Sequence, residues 1–384
     1  MPYFDANATT PLQPAVREAM DEALDEAWQN PSSPFRAGAR VRARLELARE
    51  ELAERLGVDP PEIVFTSGAT ESNNAVLRHA AERSPDGWVA VSAVEHPSVL
   101  EAARAYFGDR VRRIPVAGDG RVDPDAADAI VAEGPALVCL MAANNETGVL
   151  QPWREVAHRC RARGVPIHCD AVQWLGKLPA SGLAGCDYVV GSAHKIGGPK
   201  GVGFLRVPVS DPGLVVQYGG AQESGHRGGT ENYPAVAGFL AAWRTCAGER
   251  GDLGDRERMR GDAARLLEET VPGTRLVGSR EAVLWNTIMV VPPRFANHRW
   301  VSRLDRAGFQ ASTGSACATG KEGPSHVLGA MGFEPEEARR SIRFSGTHAT
   351  GIEHWRELAA AYRSVWEALR AEESQNGGSE VIEV

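Results

Sequence analysis

The sequence is short of positive charge, of cysteine and of long apolar runs, and each shortage excludes a class of protein. Its 42 basic and 50 acidic residues give a formal net charge of −8, whereas a nucleic-acid-binding surface needs a basic face. No stretch reaches the roughly 18 consecutive apolar residues of a membrane helix, and the first residues do not resemble a signal peptide. The six cysteines include no Cys-x-x-Cys spacing, so neither a zinc site nor a disulfide framework is expected. We therefore expect a cytoplasmic protein with no metal site and no nucleic-acid or membrane partner.

Short apolar segments alternate with amphipathic helical stretches over the first two thirds of the chain. Segments of the type that forms buried strands lie at residues 63–65, 88–91, 111–116, 137–141, 165–168, 188–190 and 202–207. This alternation predicts an α/β fold, with a large domain in which a mainly parallel seven-stranded sheet is sandwiched by helices. Ligands of such sheets bind beyond the carboxyl ends of the strands.

The alternation weakens at residues 247–254, a Gly- and charge-rich stretch that marks a boundary. Beyond it, periodicity predicts a helix at 256–269, strands at 284–291 and 310–312 and a long helix at 351–371, which suits a smaller α+β domain. We therefore assign residues 14–250 to a large domain and residues 1–13 and 251–371 to a small one. Residues 372–384 have linker composition and are predicted to form a flexible tail.

Three features at predicted strand ends indicate a cofactor site. Lys195 follows the strand at 188–190 in a Gly-rich turn, and lysine amines form Schiff bases with carbonyl groups, although most lysines near glycines are merely solvated. Asp170 closes another strand and could keep the pyridinium nitrogen of pyridoxal phosphate (PLP) protonated, or could instead cap the following helix. The turn at 66–73 precedes a helix whose first N–H groups could hold a phosphate.

Cys317 differs from the other five cysteines in its surroundings. It lies within residues 312–323, a run of small and polar residues that cannot pack a core, whereas the others lie in apolar or helical segments. A thiol on a mobile loop can reach a substrate, and its thiolate is the reactive form. The sequence therefore predicts a mobile loop with a nucleophilic cysteine.

The ordered motifs resemble those of the cysteine desulfurases of the NifS/IscS type, in the fold-type I, class V aminotransferase superfamily of PLP enzymes. The resemblance covers about residues 3–347 and includes DANATTP (5–11), NPSS (30–33), TSGATESNN (66–74), EHPSVL (95–100), NNETG (144–148), SAHK (192–195), RGGT (227–230), STGSAC (312–317) and SIRFS (341–345). It implies that L-cysteine is converted to L-alanine and that the sulfur is captured as a persulfide on Cys317. An acceptor protein would then take the sulfur for iron–sulfur cluster, thio-tRNA or thio-cofactor synthesis.

The resemblance also implies roles for individual residues. Lys195 would bind PLP covalently and then move the Cα proton, while His96 would stack on the ring and assist proton transfer. Asp170 would pair with the ring nitrogen, and Arg343 would clamp the substrate carboxylate, although the residue type alone equally suits a surface salt bridge. The phosphate would be held by Ala69, Thr70, Ser192 and His194. Gln173 and Asn145 would contact the ring on its hydroxyl side, and Asn145 would also lie near the substrate. Thr230 would reach the phosphate bound in the neighbouring subunit. The protein would accordingly be a homodimer with shared active sites.

Three positions depart from the family pattern, and two other functions stay open. Phe35, Gly228 and Ala318 stand where many members have histidine, serine, and serine or threonine, and Gly228 would remove one phosphate hydrogen bond. One alternative is a class V lyase or aminotransferase acting on another amino acid, such as selenocysteine or cysteine sulfinate. The other, a non-enzymatic scaffold homologue, is disfavoured because the expected reactive residues are all present.

Overall fold

The seven apolar segments form one sheet in the computed structural model, which describes residues 2–248, 251–314 and 324–376. Its strands are β1 (Ile63–Thr66), β2 (Val89–Ser92), β3 (Val111–Ile114), β4 (Leu137–Cys139), β5 (Ile167–Asp170), β6 (Tyr188–Ser192) and β7 (Gly203–Arg206). They lie in the order β1-β7-β6-β5-β4-β2-β3. Strands β2 to β6 pair in parallel, whereas β7 is antiparallel to both β1 and β6. The predicted α/β fold with a mainly parallel seven-stranded sheet is confirmed.

Helices cover both faces of this sheet. The helices of the described residues are α1 (Pro14–Glu26), α2 (Arg36–Leu56), α3 (Ala69–Arg83), α4 (Pro97–Phe107), α5 (Pro124–Ala132), α6 (Trp153–Ala162), α7 (Tyr233–Gly248), α8 (Leu253–Thr270), α9 (Asn297–Arg306), α10 (His326–Ala330), α11 (Pro335–Ala338) and α12 (Ile352–Asn376). Because successive strand residues point to opposite faces, Phe65 packs in one core with α2 and α7, while Val64 packs in a second core with α3 and α4. Both faces are therefore apolar, which is why the strand segments other than the edge strand β3 are nearly continuous hydrophobic runs.

A second, antiparallel sheet follows residue 251. It consists of β8 (Arg275–Leu276), β9 (Thr287–Val291) and β10 (Ile342–Ser345) in the order β10-β9-β8, and α8, α9 and α12 pack against it. The strand predicted at 310–312 is wrong, because Gln310 and Ser312 form only isolated bridges, to Tyr3 and Arg343. The division into two domains stays a prediction.

Helix α12 extends beyond its predicted end. Residues 372–376, which we assigned to the flexible tail, are helical, and this part of the tail prediction is wrong. Glu372 pairs with Arg299 and Arg303 of α9, and Glu373 pairs with Arg294, so these ion pairs hold the last turns against a neighbouring helix. Residues 377–384 lie outside the described residues. In the described part of the chain, no helix is long and apolar enough to cross a membrane.

The N-terminal segment links the two sheets. Tyr3 and Asp5 bridge to Gln310 and Ser345, and Phe4 is buried in the core of the small sheet. A few residues later, the Thr10 backbone N–H donates to the carbonyl oxygen of His194, which follows β6. Residues 5–10 therefore run directly past the end of the large sheet.

Candidate active site

A cavity of about 880 Å³ lies beyond the carboxyl ends of β1, β2, β5 and β6. Ten predicted site residues line it: Ala69, Thr70, His96, Asn145, Asp170, Gln173, Ser192, His194, Lys195 and Arg343. Thr230 is exposed and does not line this cavity. Cys317 and Ala318 lie outside the described residues, as does most of their predicted loop. The edge where the strands end thus brings together side chains from across the sequence.

Lys195 closes a single 3-10 turn directly after β6. Its Nζ donates to the backbone oxygens of Asn7 and Ala8 at 2.8 and 2.7 Å. These acceptors belong to the N-terminal segment, which crosses the strand ends at this point. The amine is therefore held at the cavity wall by backbone carbonyl groups.

Asp170 is the last residue of β5 and is buried. Its Oδ2 accepts from Asn73 Nδ2 at 3.0 Å, and its Oδ1 accepts from the Val172 N–H at 3.1 Å. Residues 171–178 form turns and not an α-helix, so the alternative role of Asp170 as a helix cap is wrong. The carboxylate is instead fixed by two donors at the floor of the cavity.

The start of α3 forms a cradle of small residues. Gly68 precedes the helix with φ 149°, a conformation that favours glycine. A Cβ on the adjacent Gly203 of β7 would lie 2.8 Å from Gly68 Cα and 2.4 Å from the Gly191 oxygen, so only glycine allows this close approach. Because the first N–H groups of a helix have no helical acceptor, those at Ala69 and Thr70 are suited to bind an anion.

Arg343 of β10 is buried, with 1% of its surface exposed, so the alternative of a surface salt bridge is wrong. Its Nη2 lies 2.5 Å from Asp5 Oδ1, and its Nη1 donates to the Asn145 oxygen at 2.9 Å. Its Nε is buried and has no hydrogen-bond partner among the described residues. Arg343 lines the cavity, so its guanidinium brings a positive charge to the cavity wall.

Two histidines of the site are neutral near pH 7. Burial, reinforced by the positive charges of Lys195 and Lys200, lowers the pKa of His194 to about 4. Burial also lowers the pKa of His96, where Lys195 and His326 add to the effect and Asp170 opposes it. Both imidazoles therefore act as neutral hydrogen-bonding groups.

The motif analysis missed residues that organise the site. Asn7 is fully buried, donates to the Asn145 oxygen and to Thr287 Oγ1, and accepts on its own backbone oxygen from Gln173 Nε2. Lys177 donates to Asn7 Oδ1 at 3.2 Å, and burial lowers the pKa of its amine well below the usual value. Asn7 lies in the 5–11 motif, which was the available signal, whereas no sequence pattern marked Lys177.

The five cysteines within the described residues, Cys139, Cys160, Cys169, Cys186 and Cys246, are all buried, as predicted. Burial raises the pKa of Cys160 to about 12 and that of Cys139 well above the usual range. Neither of these two thiols supplies a thiolate at neutral pH.

The whole chain is similar to known proteins. The family model of class-V aminotransferases matches residues 2–353. A protein of Enterobacter agglomerans named cysteine desulfurase is 36% identical, over 98% of this chain and 97% of its own length. A solved NifS-like protein aligns with a TM-score of 0.86 at 32% identity, covering 96% of this chain and all of that one. Another, described as SspA in complex with cysteine, aligns with a TM-score of 0.78 at 28% identity and covers 90% of this chain and 99% of that one.

These similarities define the class of protein. Because the family model covers most of the chain and the named relative aligns almost end to end, the chain belongs to the class-V aminotransferase family. The expected resemblance to cysteine desulfurases of the NifS/IscS type is confirmed by the relatives themselves.

Proposed function

We propose that this chain is a PLP-dependent cysteine desulfurase, which converts L-cysteine to L-alanine and keeps the sulfur as a persulfide on Cys317. The observation that supports it most directly is the single cavity in which Lys195, Asp170, His96 and Arg343 meet. Relatives named cysteine desulfurase match the chain over nearly its full length.

The residues of the cavity fit PLP. The glycine cradle at Gly68 and the first N–H groups of α3 suit the phosphate, together with Ser192 and His194. Gln173 and Asn145 would contact the ring hydroxyl side. When bound, PLP supplies an electron sink that stabilises negative charge at the substrate Cα.

Asp170 would hold a proton on the cofactor ring, and Lys195 would transfer protons at the substrate. The Asp170 carboxylate, fixed by two donors, would keep a proton on the ring nitrogen, because a buried anion favours a positive charge beside it. Lys195 would hold the cofactor through its amine and then take the Cα proton and return it during turnover. Asn7 and Ala8 keep that amine at the cavity wall.

Arg343 and Cys317 would act on the substrate itself. Arg343, which lines the cavity and pairs there with Asp5, would bind the substrate carboxylate through its guanidinium. The Cys317 thiolate would attack the substrate Sγ, so that an S–S bond forms and the Cβ–S bond breaks, with its electron pair passing to carbon. L-Cysteine and the thiol thus give L-alanine and the persulfide, and no external oxidant or reductant is needed.

Two further expectations belong to this proposal. Thr230 is exposed and lies away from the cavity of its own chain, which supports a role in the neighbouring subunit of a homodimer. A protein acceptor would then take the sulfur from Cys317. Trapping the protein that is bound to Cys317 through a mixed disulfide would identify that acceptor.

The test is to incubate the purified chain, loaded with PLP, with L-cysteine and to measure alanine together with the mass of the Cys317 peptide. We expect equimolar alanine and sulfide under reducing conditions, and one added sulfur atom on Cys317 without reductant. Cys317→Ala should still bind PLP but should form neither alanine nor a persulfide. Cys160→Ala, which removes a buried thiol, should form alanine and the Cys317 persulfide as the unaltered enzyme does.

The alternatives give different results in the same assay. If Cys317→Ala forms alanine from cysteine at the rate of the unaltered enzyme, the persulfide mechanism is wrong. If cysteine is inert and cysteine sulfinate or selenocysteine reacts, the chain is a class V enzyme for another substrate. Absence of PLP binding would support a non-enzymatic scaffold.

A further inference from the structure

The Nδ1 atom of His96 is held by donors on one neighbouring residue. His96 is the N-cap of α4, and its Nδ1 accepts from the Ser98 backbone N–H at 3.1 Å. The Ser98 hydroxyl oxygen also lies 2.8 Å from this nitrogen. Because a backbone N–H can only donate, Nδ1 must carry the lone pair, and the proton of the neutral ring is on Nε2.

Asn73 determines which way the Ser98 hydroxyl points. The Asn73 Nδ2 group donates to Ser98 Oγ at 2.8 Å and to Asp170 Oδ2 at 3.0 Å. Since the amide already donates to the hydroxyl oxygen, the hydroxyl proton is free to donate to His96 Nδ1. All of these distances are normal for hydrogen bonds.

His168 fixes the Asn73 amide in this orientation. Its Nε2 lies 2.8 Å from Asn73 Oδ1, and the ring is fully buried. A carboxylate can only accept, so the amide NH2 must face Asp170 and its oxygen must face the His168 N–H. Burial lowers the pKa of His168 to about 4, so the ring is neutral, and the acceptor at Asn73 Oδ1 places its proton on Nε2. Every hydrogen-bond donor in the series from His168 through Asn73 and Ser98 to His96 therefore has an acceptor.

We propose that Asn73 and Ser98 are positioning residues, which form a hydrogen-bonded relay from Asp170 to His96 and hold His96 as the neutral tautomer protonated on Nε2. Their role in turnover rests on the proposed function, but the tautomer itself does not depend on it. His96 then offers the site a proton donor and no basic nitrogen. Removal of the substrate Cα proton consequently falls to Lys195.

The relay can be tested on the PLP-loaded enzyme without substrate. In protein labelled with 15N in histidine, the nitrogen resonances distinguish a protonated from an unprotonated ring nitrogen, and a His96→Asn variant assigns the signal. We expect Nδ1 of His96 to be unprotonated and Nε2 to be protonated at pH 7.5. This measurement needs no relay variant, so it stands even if a variant fails to fold.

Two variants test whether Asn73 acts on His96 through Ser98. Ser98→Ala removes the hydroxyl donor to Nδ1, a hydrogen bond that exists only while Nδ1 is unprotonated and that therefore stabilises the neutral ring. The pKa of His96 should consequently rise by about 0.7 unit, which corresponds to one ordinary hydrogen bond. Asn73→Ala should raise it by less, and should have no further effect when Ser98 is already alanine. Asn74→Ala is the matched control, because the side chain of this half-buried neighbour bonds, within the described part of the chain, to Thr70 and Tyr106 and not to the relay, and should leave the titration unchanged.

The charged and titratable groups that face His96 are Asp170, Lys195 and His326, and none of them is altered by these variants. A proton on Nδ1 of the unaltered enzyme would overturn the proposal. The proposal would also be overturned if Asn73→Ala shifted the pKa of His96 equally with Ser98 present and with Ser98 replaced by alanine. That result would mean that Asn73 acts through Asp170 and not through Ser98. If desulfuration fails while the tautomer and the coupling are as expected, only the proposed function is wrong.

Discussion

Glu95 is a buried carboxyl group whose titration we expect to control the pH dependence of stability. Only 1% of its surface is exposed, and Oε1 accepts from the Met141 N–H at 2.5 Å. Its Oε2 is buried without a hydrogen-bond partner among the described residues. Burial, reinforced by the negative charge of Asp170, raises the pKa of Glu95 to about 8. The folded protein therefore keeps the Glu95 proton at neutral pH.

The size of the effect follows from the two pKa values. The usual pKa is 4.5, so between pH 4.5 and 8 the unfolded chain releases a proton that the folded chain retains. Stability is therefore lost as the pH rises through this window, at no more than about 1.4 kcal/mol per pH unit. From pH 5 to pH 8 the total is at most about 3.5 kcal/mol, because relaxation around the charge would reduce it.

Glu95→Gln removes the titration but keeps the acceptor for Met141. Its carboxamide carries one more N–H without an acceptor than the protonated carboxyl group has, so at pH 5 the variant should be less stable by about 1–2 kcal/mol. By pH 8 it should have gained about 3 kcal/mol relative to the unaltered protein. The difference between the two proteins should thus change sign within this range.

The assay is urea unfolding of both proteins at pH 5, 6, 7 and 8, at one protein concentration and one PLP concentration. His168 and His194 have depressed pKa values and therefore add stability as the pH rises, but they are present in both proteins and cancel in the difference. Parallel stability curves for the two proteins would refute the reasoning, because they would mean that Glu95 is already ionised in the fold.

Three other substitutions test the packing and the site. Arg49→Met leaves the buried Glu223 carboxylate without its two guanidinium bonds of 2.8 and 3.0 Å, and urea unfolding should show a loss of about 3–5 kcal/mol; a loss under 1 kcal/mol would contradict this. Gly203→Ala forces a Cβ against Gly68, so we expect about 1–3 kcal/mol of destabilisation and faster PLP loss on dialysis; unchanged retention would show that the cradle adjusts. Arg343→Lys keeps the charge but loses the planar fork, so KM for cysteine should rise about tenfold or more with a smaller change in kcat; an unchanged KM would remove Arg343 from the substrate site.

The sequence predicted the large sheet well because all its strands except the edge strand β3 are largely buried on both faces. Continuous apolar runs can only be buried between layers, so the seven segments and their mainly parallel arrangement could be inferred without coordinates. The same topology predicts that Asp170 and Lys195 meet, since the carboxyl ends of parallel strands share one edge. Both residues line the cavity at that edge.

Pairings across long stretches of chain could not be predicted in the same way. The Asp5–Arg343 ion pair joins residues 338 positions apart, and the Asn7 carbonyl meets Lys195 from 188 positions away. No periodicity encodes such contacts, because they depend on how the N-terminal segment crosses between two sheets. The strand predicted at 310–312 was wrong for the same reason, since the local sequence does not reveal that only single bridges form there.

The sequence by itself thus determined the fold class, the family and the residue types gathered at the strand ends, because burial and motif order are properties of local sequence. Only the tertiary structure decided the state of those residues. The tautomer of His96 depends on Ser98 and on Asn73, which donates across to Asp170, 97 positions away. The proton on Glu95 depends on its burial beside that same carboxylate. Charge and tautomer follow from dielectric surroundings and donor geometry, which exist only once the chain has packed.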